Sequence, residues 1–195
     1  IDLISIATSS GVQAEIALYC IDHGINVIVE KPMAMNANEA QAMKAAAEKN
    51  EKLLMIGFVR RHGSDAYSAK DLVEKGFLGD IYYAKASYLR RCGFPGGWFG
   101  DKSRSGGGPL IDLGVHVIDL TRYIMGNPKP VTVFGATFDK IGARSHIAAT
   151  AWQSETVVDK PVFTVEDLAS AMIRFDNGAV KKLRQILAGK VIAIL

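Results

Sequence analysis

The alternation of residue types over the first 58 positions most narrows what this chain can fold into. Three short, uninterrupted apolar runs stand out: Leu3-Ile4-Ser5-Ile6-Ala7, Asn26-Val27-Ile28-Val29-Glu30 and Leu53-Leu54-Met55-Ile56-Gly57. Between them the spacing predicts one helix over about 11–23, closing at Gly24, and another over about 36–50. The second is opened by Asn36 or Asn38 as a cap and carries Ala40, Met43, Ala46 and Ala47 on one stripe. Strands apolar on both faces and joined through helices pair in parallel, with helices covering both sides. The fold class is therefore α/β here, the C-terminal half of a doubly wound parallel sheet.

After Phe58 the pattern changes. A helix is expected over about 64–76, then a long strand over 81–89, a Gly-rich loop from Gly93 to Gly108, and a well-signed helix from Pro109 to about 125. Gly126-Asn127-Pro128 closes that helix. Strands follow near 130–138 and 168–176, and Asp176-Asn177-Gly178 is a hairpin turn. Strands without intervening helices imply an α+β domain with a mostly antiparallel sheet, so the expected division is 1–58 and 59–195. Lys181 to Lys190 reads as a basic amphipathic stretch rather than a strand.

The 195 residues carry 23 Lys plus Arg against 20 Asp plus Glu, a net charge of +3, and the basic residues are scattered. That argues against nucleic acid as a partner, and 49% hydrophobic against 22% charged residues excludes disorder. No run approaches the roughly 18 apolar residues of a membrane helix, so no membrane partner is expected. Cys20 and Cys92 stand far apart without metal-binding companions, which favours a reduced, cytoplasmic setting. Ile1 begins directly in a strand, without a starting Met.

Two constellations carry chemistry. Glu30-Lys31-Pro32 sits at the carboxyl end of a parallel strand, where open α/β sheets bind ligands, and points an ammonium into that crevice. Asp112 and His116 are four apart on a helix otherwise rich in Leu, Ile and Val, so they share one face. A polar pair on a mostly buried helix is costly unless it has a purpose. Asp119 is conceivable as a third metal ligand, but nothing supplies further ligands, and no metal site is assigned. Gly93-Phe94-Pro95-Gly96-Gly97-Trp98-Phe99-Gly100 lacks phosphate-loop spacing. Cys20, Met33 and Met35 read as packing, and His23 and His146 show no partner.

The Glu-Lys-Pro at 30–32 and the Asp-x-Gly-x-His at 112–116 together resemble the Gfo/Idh/MocA family of NAD(P)-dependent oxidoreductases. Gly57-Phe58-Val59-Arg60-Arg61, Gly76-Phe77-Leu78-Gly79-Asp80-Ile81 and Gly106-Gly107-Gly108 support the likeness. The resemblance implies a Rossmann domain joined to an open-faced sheet domain, NAD or NADP as cofactor, and hydride transfer to or from a hydroxyl of a sugar, cyclitol or related polyol. By position, Lys31 would orient the substrate hydroxyl, Asp112 would hydrogen-bond the substrate or the histidine, and His116, titrating near neutrality, would be the general acid or base. Thr8, Ser9, Glu30, Lys31 and Pro32 would face the cofactor; Arg60, Arg90 and Trp98 would face the substrate. The bond before Pro32 is expected to be cis, and the open sheet is expected to pair with a second copy.

The sequence also departs from that family. Thr8-Ser9-Ser10-Gly11-Val12-Gln13 replaces the usual Thr-Pro-x-x-x-His, and no Gly-x-Gly-x-x-Gly with its following acid is present. The chain thus reads as truncated at both ends, lacking the Gly-rich first βαβ unit. Two other readings stand beside the dehydrogenase: a non-catalytic sugar- or nucleotide-sensing or scaffold relative, and a cofactor-free or metal-assisted lyase or isomerase using His116 as base.

Overall fold

Short apolar runs and capped helices build the first layer as their pattern requires. In the computed structural model, which describes residues 1–90, 94–140, 154 and 162–186, strands β1 (Leu3–Ile6), β2 (Asn26–Glu30) and β3 (Leu54–Gly57) form an all-parallel sheet in that order. Helices α1 (Ser10–Asp22) and α2 (Ala37–Lys49) connect them. Asn36 caps α2 by accepting from the Glu39 amide at 3.0 Å, and Glu39 accepts in turn from Asn36 Nδ2 and the Met35 amide. This reciprocal arrangement satisfies free donors at the helix start. Ala17, Ile21, Val29 and Met43 are fully buried, with Cys20 beside them and Met33 packed against the cluster. β1 and β2 both end on the same side, delivering Thr8 and Glu30-Lys31-Pro32 to one rim.

A short 3-10 turn at Val59–His62 and helix α3 (Ser64–Glu74) lead to β4 (Tyr83–Leu89). After α4 (Lys102–Ser105), the stretch read as one helix is two pieces. Leu110–Gly114 is π-helical, and only from Val115 to Ile124 is it an α-helix, α5. The Val115 amide reaches back to the Leu110 carbonyl, a five-residue step that inserts extra chain at the turn.

The second sheet has the order β4-β7-β6-β5, with β5 at Pro130–Phe138, β6 at Leu168–Phe175 and β7 at Val180–Ile186. β5/β6 and β6/β7 are antiparallel and β4/β7 is parallel, so the sheet is mostly antiparallel. β7 corrects the reading of 181–190 as an amphipathic stretch: 180–186 is a strand in the middle of the sheet, while 187–190 lie outside the described residues. Period two is present, with Lys181 and Leu183 buried and Lys182 exposed, but the inward residue is a lysine, which disguises it. The face opposite α5 leaves Tyr83, Leu89, Phe134, Phe138 and Met172 exposed. Among the described residues no helix is long and apolar enough to cross a membrane.

Candidate active site

Lys31 follows β2, and its peptide bond to Pro32 is cis, as expected. The Lys31 Nζ crosses to the π-helical segment, donating to Asp112 Oδ1 at 2.7 Å and to the Asp112 carbonyl at 2.9 Å. Both side chains are mostly buried. Low local polarity strengthens such a charge-assisted contact and fixes the direction of the ammonium.

Asp112 owes its place to the segment before it. The Asp112 amide donates to the Gly108 carbonyl, and the Glu166 carboxylate accepts from the amides of Gly108 (2.9 Å) and Leu110 (3.1 Å). Gly108 lies so close to Glu166 that a methyl group there would collide with its carbonyl oxygen. Glu166 is thus an acceptor at a helix start, where unpaired amides and the dipole favour negative charge. Nothing local in the sequence marks it, because the contact joins segments far apart.

His116 stands in the first turn of α5. Its Nδ1 is buried and has no hydrogen-bond partner among the described residues. Burial, and next the positive charge of Lys31, push its pKa down to about 4, against the opposing pull of Asp112. This corrects the expectation of a near-neutral histidine: the ring is uncharged at physiological pH and available as a proton acceptor. Asp119, weighed as a metal ligand, instead takes both Arg61 Nε (2.7 Å) and Arg61 Nη2. That bidentate pair ties α5 to the turn after β3 and raises the Arg61 pKa through the hydrogen bond to Asp119.

The cleft at the ends of β1 and β2 has a volume of about 310 Å³. Thr8, Glu30, Lys31, Pro32, Trp98 and Asp112 line it, with Gln13, Ser105 and Ile111 also contributing. Ser9, Arg60, Arg90 and His116 are not part of its wall. Trp98 stacks on Phe99 with ring centres 4.1 Å apart. Arg60 is exposed, and with Arg90 it converges on the Tyr88 hydroxyl, at 3.5 and 2.7 Å. Tyr88 carried no sequence signal.

Gln13 tests whether a nicotinamide cofactor fits here. Its side chain is 1% exposed, Nε2 donates to the Thr8 carbonyl at 3.1 Å, and Oε1 is buried without a partner among the described residues. An orphaned acceptor at the carboxyl ends of parallel strands suits a ligand that donates hydrogen bonds, as a carboxamide or ribose does. The residues present fit that end of a dinucleotide, which Thr8, Gln13 and the Glu30–Pro32 turn would hold.

Comparison with known proteins agrees with this geometry. Residues 1–58 match the family model described as the oxidoreductase family, NAD-binding Rossmann fold. Residues 67–185 match that of the GFO/IDH/MocA C-terminal domain. The chain is 35% identical over 181 residues to D-glucoside 3-dehydrogenase of Escherichia coli, covering 92% of this chain and 50% of that one. It is 33% identical over 188 residues to levoglucosan dehydrogenase of Pseudarthrobacter phenanthrenivorans, covering 92% and 48%. Among solved structures, levoglucosan dehydrogenase in complex with NADH and levoglucosan superposes with a TM-score of 0.78 at 30% identity, over 97% of this chain and 48% of that one. An oxidoreductase domain protein from Kribbella flavida gives 0.82 at 31%, over 96% and 48%. The chain spans about half the length of these relatives. With the matches running from the first parallel strand to the last strand of the mixed sheet, the chain belongs to the Gfo/Idh/MocA family of oxidoreductases.

Proposed function

We propose that the protein carrying this chain is an NAD(P)-dependent dehydrogenase that transfers a hydride between NAD or NADP and a hydroxyl of a sugar, cyclitol or related polyol. The observation that carries this reading is the Lys31–Asp112 contact at a strand-end cleft with the neutral His116 behind it. The substrate class is supported by relatives named for a glucoside and for levoglucosan. Residues 1–58 would form the cofactor side and 59–195 the substrate side.

Lys31 directs its ammonium at the substrate oxygen and stabilises the charge that develops there as the hydroxyl proton leaves. Asp112 holds Lys31 in that direction, and His116 takes the proton. Hydride acceptance is the chemistry a nicotinamide supplies when bound. Trp98 offers an aromatic face to the apolar C–H side of a sugar ring, and Thr8, Glu30 and Pro32 form the cofactor side of the crevice, with Ser9 outside its wall. Arg60 and Arg90, joined through Tyr88, border the substrate side. The exposed Phe134 and Met172, 79% and 50% accessible, support pairing of the open sheet with a second copy. The buried free thiol of Cys20 suits a reducing cytoplasm.

The test follows the absorbance of reduced nicotinamide with NAD⁺ or NADP⁺ and a panel of glycosides, free sugars and inositols. Reduction with one or more of them, abolished in Lys31→Met, supports the reading. Cofactor binding without reduction by any polyol would overturn it.

A further inference from the structure

Lys181 is fully buried in the middle of the mixed sheet. On β7 it is flanked in register by Ala84 of β4 and Ile173 of β6, and along the chain by the buried Ala179, just before the strand, and Leu183 within it. An amine in such an apolar row is costly, and an aliphatic side chain of the same size would pack there at less cost. Among the described residues it makes no ion pair. The charged groups it faces are Arg122 and Asp119, both on α5, and the carboxylate of Asp119 is already engaged by Arg61. Burial, with Arg122 adding to it, brings its pKa down to about 7.

The hydrogen bond its side chain makes among the described residues explains its presence. Lys181 Nζ donates to the Val117 carbonyl at 2.7 Å. Thr121 Oγ1 donates to the same oxygen at 2.6 Å. Two side-chain donors therefore converge on the carbonyl immediately after His116. This is also the first turn past the junction where the π-helical segment becomes α5. Asp112 lies on the π side of that junction and His116 on the α side, so the separation of the two groups depends on how the junction is held.

We infer that Lys181 is a positioning residue: from β7 it holds the Val117 carbonyl and thereby sets where His116 stands relative to Lys31 and Asp112. Amine and ammonium both donate N–H, so the hold is independent of the lysine's protonation. The inference rests on the reading of His116 as the proton acceptor, and it reaches beyond that reading in assigning the sheet a part in the site.

The test compares the intact protein with Lys181→Met, which keeps volume and removes the donor. The His116 ring resonance, assigned by its loss in His116→Asn, is recorded alongside kcat, KM and Tm. The expected result is a shifted His116 resonance and kcat lowered about 10- to 100-fold, as misplacement of a reacting group produces, with KM near its original value and Tm equal or higher. An unmoved resonance with unchanged kcat overturns the inference. Should the protein dehydrogenate no polyol at all, the functional reading fails, while the resonance alone still decides the positioning. If Lys181→Met does not fold, Thr121→Val removes the other donor to the same carbonyl. A smaller shift of the same resonance then supports the anchor, and no shift overturns it.

Discussion

The Lys31 ammonium touches Asp112 twice, through the carboxylate at 2.7 Å and the backbone carbonyl at 2.9 Å. The carbonyl contact matters as much as the ion pair, because it survives loss of the carboxylate charge. Replacing Asp112 by Asn is therefore expected to keep Lys31 near its position while weakening its orientation. Turnover should fall about 10²-fold, within the range for losing one oriented electrostatic contact, with the fold intact by circular dichroism. Lys31→Met, which removes both contacts, should be more damaging in the same assay.

His116 makes stability depend on pH in a defined window. Its folded-state pKa is depressed from 6.5 to about 4, so between those values the unfolded chain binds a proton that the folded protein refuses. Stability should fall as pH drops from about 6.5 towards 4 and change no further from this source below that. Urea unfolding of the wild type against His116→Gln across this window checks it; equal slopes would contradict the assignment.

Lys181 predicts a second window with the same sign at higher pH. Its pKa is depressed from 10.5 to about 7, so the unfolded state carries the extra proton between those values. The wild type should gain stability relative to Lys181→Met as pH rises from 7 to about 10.5, and below 7 the cost of the buried charge should be constant. Parallel unfolding curves for the two proteins at several pH values read this difference directly.

The Arg61–Asp119 pair joins α5 to the turn after β3, with Asp119 only 9% exposed and Arg61 36%. Asp119→Asn leaves the guanidinium without its counter-charge. Removing one partner of a fully buried pair costs about 3–5 kcal/mol; because Arg61 is partly solvated, a loss nearer 2 kcal/mol is expected. Thermal unfolding measures it, and a metal titration should show no dependence on this residue.

Gly108 is fixed by contact rather than by backbone conformation. Its Cβ position meets the Glu166 carbonyl, so Gly108→Ala should separate the two segments. The expected cost is about 1–3 kcal/mol, as for overpacking elsewhere, together with loss of turnover as Asp112 shifts. Glu166→Gln keeps one of the two amide contacts and turns an NH2 donor towards the other amide, so it should also lower turnover, without the steric clash that Gly108→Ala introduces.

Much of the first layer was legible because local signals and burial agree there. The start of α2 at an asparagine cap, the buried Met43 and Ala47, and the strand ends at Thr8 and Glu30 all follow from period and turn chemistry, while the choice of Asn36 over Asn38 came from the structure. The second layer was less so. β7 hid behind Lys181 and Lys182, since an inward lysine erases the apolar alternation that marks a strand. The π-helical turn before α5 was equally silent, because Pro109 and the glycines signal a helix start without specifying how its hydrogen bonds step.

By itself the sequence determined the parallel strand–helix alternation and the place of Lys31 at a strand exit. Each of these depends on residues close together in the chain. Only the tertiary structure decided that Lys31 bonds Asp112, that His116 is held neutral, that Asp119 belongs to Arg61, that Glu166 accepts from the Gly108 and Leu110 amides, and that Lys181 donates to the Val117 carbonyl. Those facts depend on desolvation and on contacts between segments tens of residues apart, and neither is encoded in local periodicity.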